Sequence, residues 1–129
     1  MVLDWKLVTL IGLGSALGGV LRHLVSHAIT RPDFPYGTLA VNVVGGFAVG
    51  LIVFGGMNAG WLSQPMRALV VAGFLGGFTT MSAFTYETVA LFGQGAWRLG
   101  LTNVLANVGT SLLATWAGAG LGVRIWASA

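Results

Sequence analysis

Residues Gly73 to Glu87 read GFLGGFTTMSAFTYE. The stretch lies inside an apolar run long enough to cross a bilayer. It nevertheless holds three glycines, two adjacent threonines, a serine, a third threonine and a glutamate. A lipid-facing helix of ordinary composition does not look like this. Backbone groups freed by a helix break are tolerated at membrane depth only where protein or a water-filled cavity satisfies them. This stretch is therefore the expected functional centre, and the rest of the chain its housing.

The chain has 129 residues, 56% of them hydrophobic and only 7% charged, against about 25% charged in a soluble domain. Without cysteine there is no disulfide and no thiolate metal site. Two histidines and three acids are too few for a catalytic metal cluster, and nothing points to an enzyme. The net charge of +3 does not argue for nucleic acid, because Lys and Arg at segment ends anchor a membrane interface. Lys6 followed by an apolar run mimics a signal peptide, but no small-residue cleavage site leads into a soluble domain.

A membrane-spanning helix needs about 20 mostly apolar residues. Four segments qualify: Leu7 to Ile29, Tyr36 to Met57, Met66 to Phe92 and Trp97 to Val123. The expected fold is all-α, a single four-helix transmembrane domain over residues 1–129, with the third helix broken near its middle. Thr30 to Pro35 (TRPDFP) is a turn, with two prolines and an aspartate that stop a helix. Asn58 to Pro65 and Gly93 to Ala96 are the other connections. Each span carries a small-xxx-small glycine pair: Gly14 and Gly18, Gly46 and Gly50, Gly73 and Gly77, Gly118 and Gly122. In lipid, helices associate by close backbone approach, which glycine at that spacing permits.

Four spans put Lys6, Arg67 and Arg124 on one side and Arg31 and Arg98 on the other. Orientation follows the Lys/Arg imbalance in short loops, and three against two is almost none. Such a chain is expected to insert both ways, so that two opposed copies form an antiparallel homodimer. Four helices closely packed by glycine leave little room for an internal pathway; a homodimer provides eight.

Several polar residues interrupt the spans. Asn42, in the second, reads either as an amide donor lining a pathway or as an interhelical hydrogen bond. GGFTT, Gly76 to Thr80, is poor helix material. A break there exposes carbonyl oxygens that suit a small hard cation, shared with the symmetry mate in an antiparallel dimer. The plainer reading is a kink with threonine hydroxyls bonded back to the helix. Met81 and Phe84 share one helical face, as do Ser82 and Thr85. The positive edge of the Phe84 ring can touch an anion, or the ring is packing alone. Glu87 is a carboxylate at membrane depth or at the interface, a functional candidate by default. On the fourth span Asn103, Asn107, Ser111 and Thr115 recur every fourth residue as one polar stripe, with Thr110 beside it. Arg22 snorkels or sets a positive potential at a pathway mouth. His23 and His27 share a face near the same end and lack a third ligand for a metal.

Together, LGGVLRH from Leu17 to His23, GTLAVNVVGGF from Gly37 to Phe47 and GFLGGFTTMSAFTYE resemble the small bacterial fluoride channels called Fluc or CrcB. The resemblance covers essentially the whole chain. It implies a multi-pass protein of the bacterial inner membrane that lowers cytoplasmic fluoride by passive efflux. It also implies a dual-topology, antiparallel homodimer with two fluoride pores. A structural sodium ion would sit at the dimer centre on backbone carbonyls of Gly76 and Thr79. Asn42 would be the pore amide, Met81 and Phe84 would take the two aromatic-box positions, and Ser82 and Thr85 would lie near the pore hydroxyls. Asn103, Asn107, Ser111 and Thr115 would match the polar track, and Arg22 would border an aqueous vestibule. Met81 departs from the usual phenylalanine, since a flexible thioether has no ring edge to offer an anion.

Fluoride is small and strongly hydrated, so a pore must replace much of its shell with donors yet let it leave. Asn42, Ser82, Ser111 and the edge of Phe84 are neutral donors of this kind. Glu87 must lie off the direct path, be protonated, or orient other groups. The alternative function is a small multidrug-type proton-coupled exporter, also four helices with dual topology. That class needs a carboxylate in its first span, and Leu7 to Ile29 has none.

Overall fold

The computed structural model describes residues 3–29 and 31–126; Thr30, the first residue of the expected first turn, lies outside them. The apolar runs form helix α1 (Trp5–Ile29), α2 (Tyr36–Ala59), α3 (64–78), α4 (Met81–Gly93) and α5 (Trp97–Trp126). No strand occurs among the described residues. α3 and α4 together make one apolar crossing, Gln64–Gly93, so four segments are long and apolar enough to span a membrane. Hydrogen bonding widens to the π type over Arg67–Leu75 in α3 and Ala106–Thr110 in α5.

α2 runs on through Ala59, so the second connection is shorter than the expected Asn58 to Pro65. Gly60, at φ +70°, then turns the chain in the left-handed region where glycine carries no Cβ penalty. Pro65 falls in the first turn of α3, where a missing N–H costs nothing. Gly95, at φ +76°, does for α4 what Gly60 does for α2.

The helices pair as α1 with α3 and α2 with α5. The expected glycine pairs lie at these crossings. A Cβ on Gly14 would strike the carbonyl oxygen of Leu69, and one on Gly18 that of Phe74. From the other side, a Cβ on Gly77 would sit 2.6 Å from the Ser15 carbonyl oxygen. In the second pair, Gly50 lies against the Thr115 carbonyl and Gly118 against that of Phe47. α4 leaves the α1–α3 pair and packs on the first turns of α5. The break between α3 and α4 thus faces the α2–α5 pair.

Candidate functional site

The third span breaks over two residues. Gly76–Phe78 is still helical, whereas Thr79 (φ −82°, ψ 160°) and Thr80 (φ −152°, ψ 119°) are extended. The break therefore occupies the end of GGFTT, and its chemistry follows from the threonine pair. Thr79 donates its hydroxyl back to the Leu75 carbonyl at 3.0 Å, closing α3. Thr80 is the N-cap of α4, its Oγ1 accepting from the Ala83 N–H at 3.2 Å. The threonine hydroxyls thus bond locally, as in the kink reading.

Asn42 holds the extended backbone between the two caps. Its Oδ1 accepts from the Thr80 N–H at 2.8 Å, and its Nδ2 donates to the Thr80 carbonyl at 3.1 Å. In an unbroken helix that N–H would pair with Gly76. The second hydrogen of Nδ2 goes to Asn107 Oδ1 at 3.0 Å. Asn107 in turn donates to Asn103 Oδ1 at 2.8 Å, and Asn103 donates to Thr88 Oγ1 at 2.9 Å. Asn103 is fully buried and Asn107 is 4% exposed. Both donors of Asn42 are thus engaged within the chain, as in the reading of Asn42 as an interhelical hydrogen bond.

Beside the break lies a cavity of about 420 Å³, open on one side and walled by α2, α4 and α5. Met81 and Phe84 both line it, Met81 69% exposed at the rim and Phe84 8% exposed in the wall. Asn42, Asn107, Ser111 and Thr115 supply its polar surface together with Thr79 and Thr80. Among the described residues no charged side chain lines it. Ser111 Oγ is buried without a hydrogen-bond partner among the described residues. The other lining hydroxyls have partners: Thr115 donates to the Ser111 carbonyl at 2.9 Å, Thr79 donates to Leu75, and Thr80 caps α4 and shares a hydrogen bond of 3.3 Å with Ser82 Oγ.

The other candidates stand apart from this cavity. Ser82 and Thr85 are exposed on α4; Ser82 does not line the cavity but shares a hydrogen bond of 3.3 Å with Thr80 Oγ1, which does, and Thr85 donates to the Ser82 carbonyl at 3.1 Å. Asn103 lies one turn beyond the lining residues of α5. Glu87 turns to α2, where it accepts from Thr38 Oγ1 at 2.7 Å, and its other oxygen is buried without a partner among the described residues. Arg22 reaches the break from α1, donating from Nη1 to the Thr79 carbonyl at 3.3 Å. Thr38 and Thr88 were not singled out from sequence. Their signal was a hydroxyl on an apolar span, Thr88 one turn after Phe84. His23 and His27 stack at 6.2 Å between ring centroids, and no metal-binding group of three ligands exists among the described residues.

An all-helical chain with four membrane-crossing segments, the third interrupted beside an uncharged cavity, defines the class: a small multi-pass membrane protein organised on a helix break. Residues 9–119 match the family described as CrcB-like protein, Camphor Resistance (CrcB). The chain is 41% identical over 116 residues to a Trichlorobacter lovleyi protein named fluoride-specific ion channel FluC, covering 88% of this chain and 93% of that one. Proteins of the same name from Geobacter sulfurreducens and Rhizobium meliloti are 44% and 43% identical, over 84% and 88% of this chain and 90% and 94% of theirs. The chain belongs to the CrcB family.

Proposed function

We propose that the chain is a channel, not an enzyme, conducting fluoride passively and selectively out of the cytoplasm across a bacterial inner membrane. The observation that carries this reading is the Ser111 hydroxyl, buried without a partner in a cavity that no charged side chain lines among the described residues. A neutral donor at membrane depth stabilises a small anion that has shed part of its water. The absence of a lining carboxylate avoids repelling it. Family membership and the shared name of the relatives support the same ion. The multidrug-type exporter gains no support from α1, which has no carboxylate.

The working unit in this reading is an antiparallel dimer. The cavity is open on one side, and Met81, Ser82 and Thr85 are exposed around α4, available to a second copy that completes the wall. Gly76 is also exposed on its helix, and a Cβ there would meet only the Val71 carbonyl oxygen, at 3.7 Å. We place a structural sodium ion where the breaks of two opposed copies meet, on the carbonyls of Gly76 and Thr79. Carbonyl oxygens suit a hard cation; the break diverts the Thr80 N–H from the Gly76 carbonyl to Asn42, while the Thr79 carbonyl, which also accepts from Arg22 Nη1 at 3.3 Å, has a second lone pair to offer. Bound there, the ion would offset the mutual repulsion of the converging carbonyls.

Purified protein in liposomes, followed with a fluoride electrode, tests the function. The expected result is fluoride efflux without a proton gradient and without chloride efflux. Efflux that requires a proton gradient, or none at all, rejects it.

A further inference from the structure

We propose that Thr88 and Asn103 are positioning residues for the ion cavity. They act through a hydrogen-bond relay of fixed direction, Thr88–Asn103–Asn107–Asn42–Thr80, that sets which way the Asn42 amide faces. The relay rests on the channel reading for its purpose but not for its existence.

The direction is dictated at both ends. Thr88 has one hydroxyl hydrogen and spends it on the Phe84 carbonyl at 2.7 Å. Towards Asn103 its oxygen can only accept, so Asn103 must present its NH₂ there, at 2.9 Å. That turns Asn103 Oδ1 towards Asn107, which must answer with its own NH₂ at 2.8 Å. Asn107 Oδ1 is then left for the NH₂ of Asn42 at 3.0 Å. Asn42 Oδ1 is consequently free to take the Thr80 N–H at 2.8 Å. At the far end, a backbone N–H can only donate. The two termini therefore demand the same sense independently. Flipping any one amide would bring two NH₂ groups or two oxygens face to face in a buried setting.

The relay begins outside the cavity and ends on its wall. Thr88 and Asn103 do not line the cavity, whereas Asn107, Asn42 and Thr80 do. Its first link is anchored on the backbone of Phe84, a wall residue, and its last on the helix break. A hydroxyl one turn away from Phe84 thus backs, from the opposite end to the Thr80 N–H, the orientation of an amide on another helix.

The test uses full-length protein labelled with ¹⁵N-asparagine. The sequence has four asparagines, three of them in the relay, so their side-chain amide signals can be assigned individually. Thr88→Val keeps the side-chain shape and removes the hydroxyl; Thr88→Ser keeps the hydroxyl. In Thr88→Val the amide signals of Asn42 and Asn107 are expected to shift, although Thr88 touches neither. Fluoride efflux should fall about tenfold, the cost of one misplaced buried hydrogen bond. Thr88→Ser should leave both readouts near wild type. Asn103→Leu should give the same shifts, and adding Thr88→Val to it should reduce efflux no further; it carries the test if Thr88→Val does not fold. Unmoved Asn42 and Asn107 signals in either folded variant, or equal efflux losses in Thr88→Ser and Thr88→Val, overturn the relay. A wild-type protein that passes no fluoride overturns the channel reading instead, and the amide shifts still decide the relay.

Discussion

Asn42 bonds both backbone polar groups of Thr80, accepting from its N–H at 2.8 Å and donating to its carbonyl at 3.1 Å. One side chain on α2 thereby stands in for the strand neighbour that an extended residue would have in a sheet. Without it, two peptide groups would be left unpaired at membrane depth, where each costs several kcal/mol.

Replacing Asn42 by Asp removes both donors and sets a carboxylate against the Thr80 carbonyl and Asn107 Oδ1. Fluoride efflux from liposomes should drop by about 30- to 150-fold, since losing two buried hydrogen bonds costs about 2–3 kcal/mol. Efflux at the wild-type rate would separate the amide from conduction.

Ser111→Ala should split function from stability. The hydroxyl has no partner among the described residues, so its loss breaks no internal bond. Thermal unfolding should therefore stay within about 0.5 kcal/mol of wild type. Efflux should fall about tenfold, because a hydrogen bond to a charged group is worth about 1.5–3 kcal/mol. Ser111→Thr retains the donor and should conserve more of the flux than Ser111→Ala.

Two glycines on α1 should respond oppositely to the same change. Gly12→Ala meets nothing within 4 Å, whereas Gly18→Ala drives a methyl into the Phe74 carbonyl. Gly12→Ala is expected to be neutral or stabilising by up to about 1 kcal/mol. Gly18→Ala should destabilise by about 1–3 kcal/mol. Thermal melts in detergent would show the difference; equal melts would mean that the α1–α3 crossing is looser than drawn.

Dual insertion can be read directly because the chain has no cysteine. Gln94→Cys, in the third connection, should be labelled about half from each side of intact cells by an impermeant thiol reagent. That even split follows from the near-equal Lys/Arg distribution. Labelling from one face alone would exclude opposed copies.

Much of the architecture is visible in the order of residues. Apolar runs of sufficient length give the crossings, and glycines four apart mark where α1 meets α3 and α2 meets α5, because only backbone proximity binds helices in lipid. The site is legible in part. GGFTT signals a break, but only the threonines' separate tasks, one back-bonding and one capping, place it at Thr79 and Thr80. The stripe of α5 identifies Asn107, Ser111 and Thr115 together; it does not reveal that Asn103 faces Thr88 while the Ser111 hydroxyl is buried in the cavity wall without a partner among the described residues. The partner of Glu87 was also hidden, since Thr38 sits 49 residues away on another helix. Periodicity orders residues along one helix and is silent about what stands opposite.

The third span changes partners midway, α3 lying along α1 and α4 against the start of α5. Two extended residues act as the splice between two glycine-fastened ribs. Were this splice to straighten, one half of the span would have to leave its rib, so the fold guards the bend from both directions. The cavity beside the bend therefore takes its width from the joinery of the helices on either side.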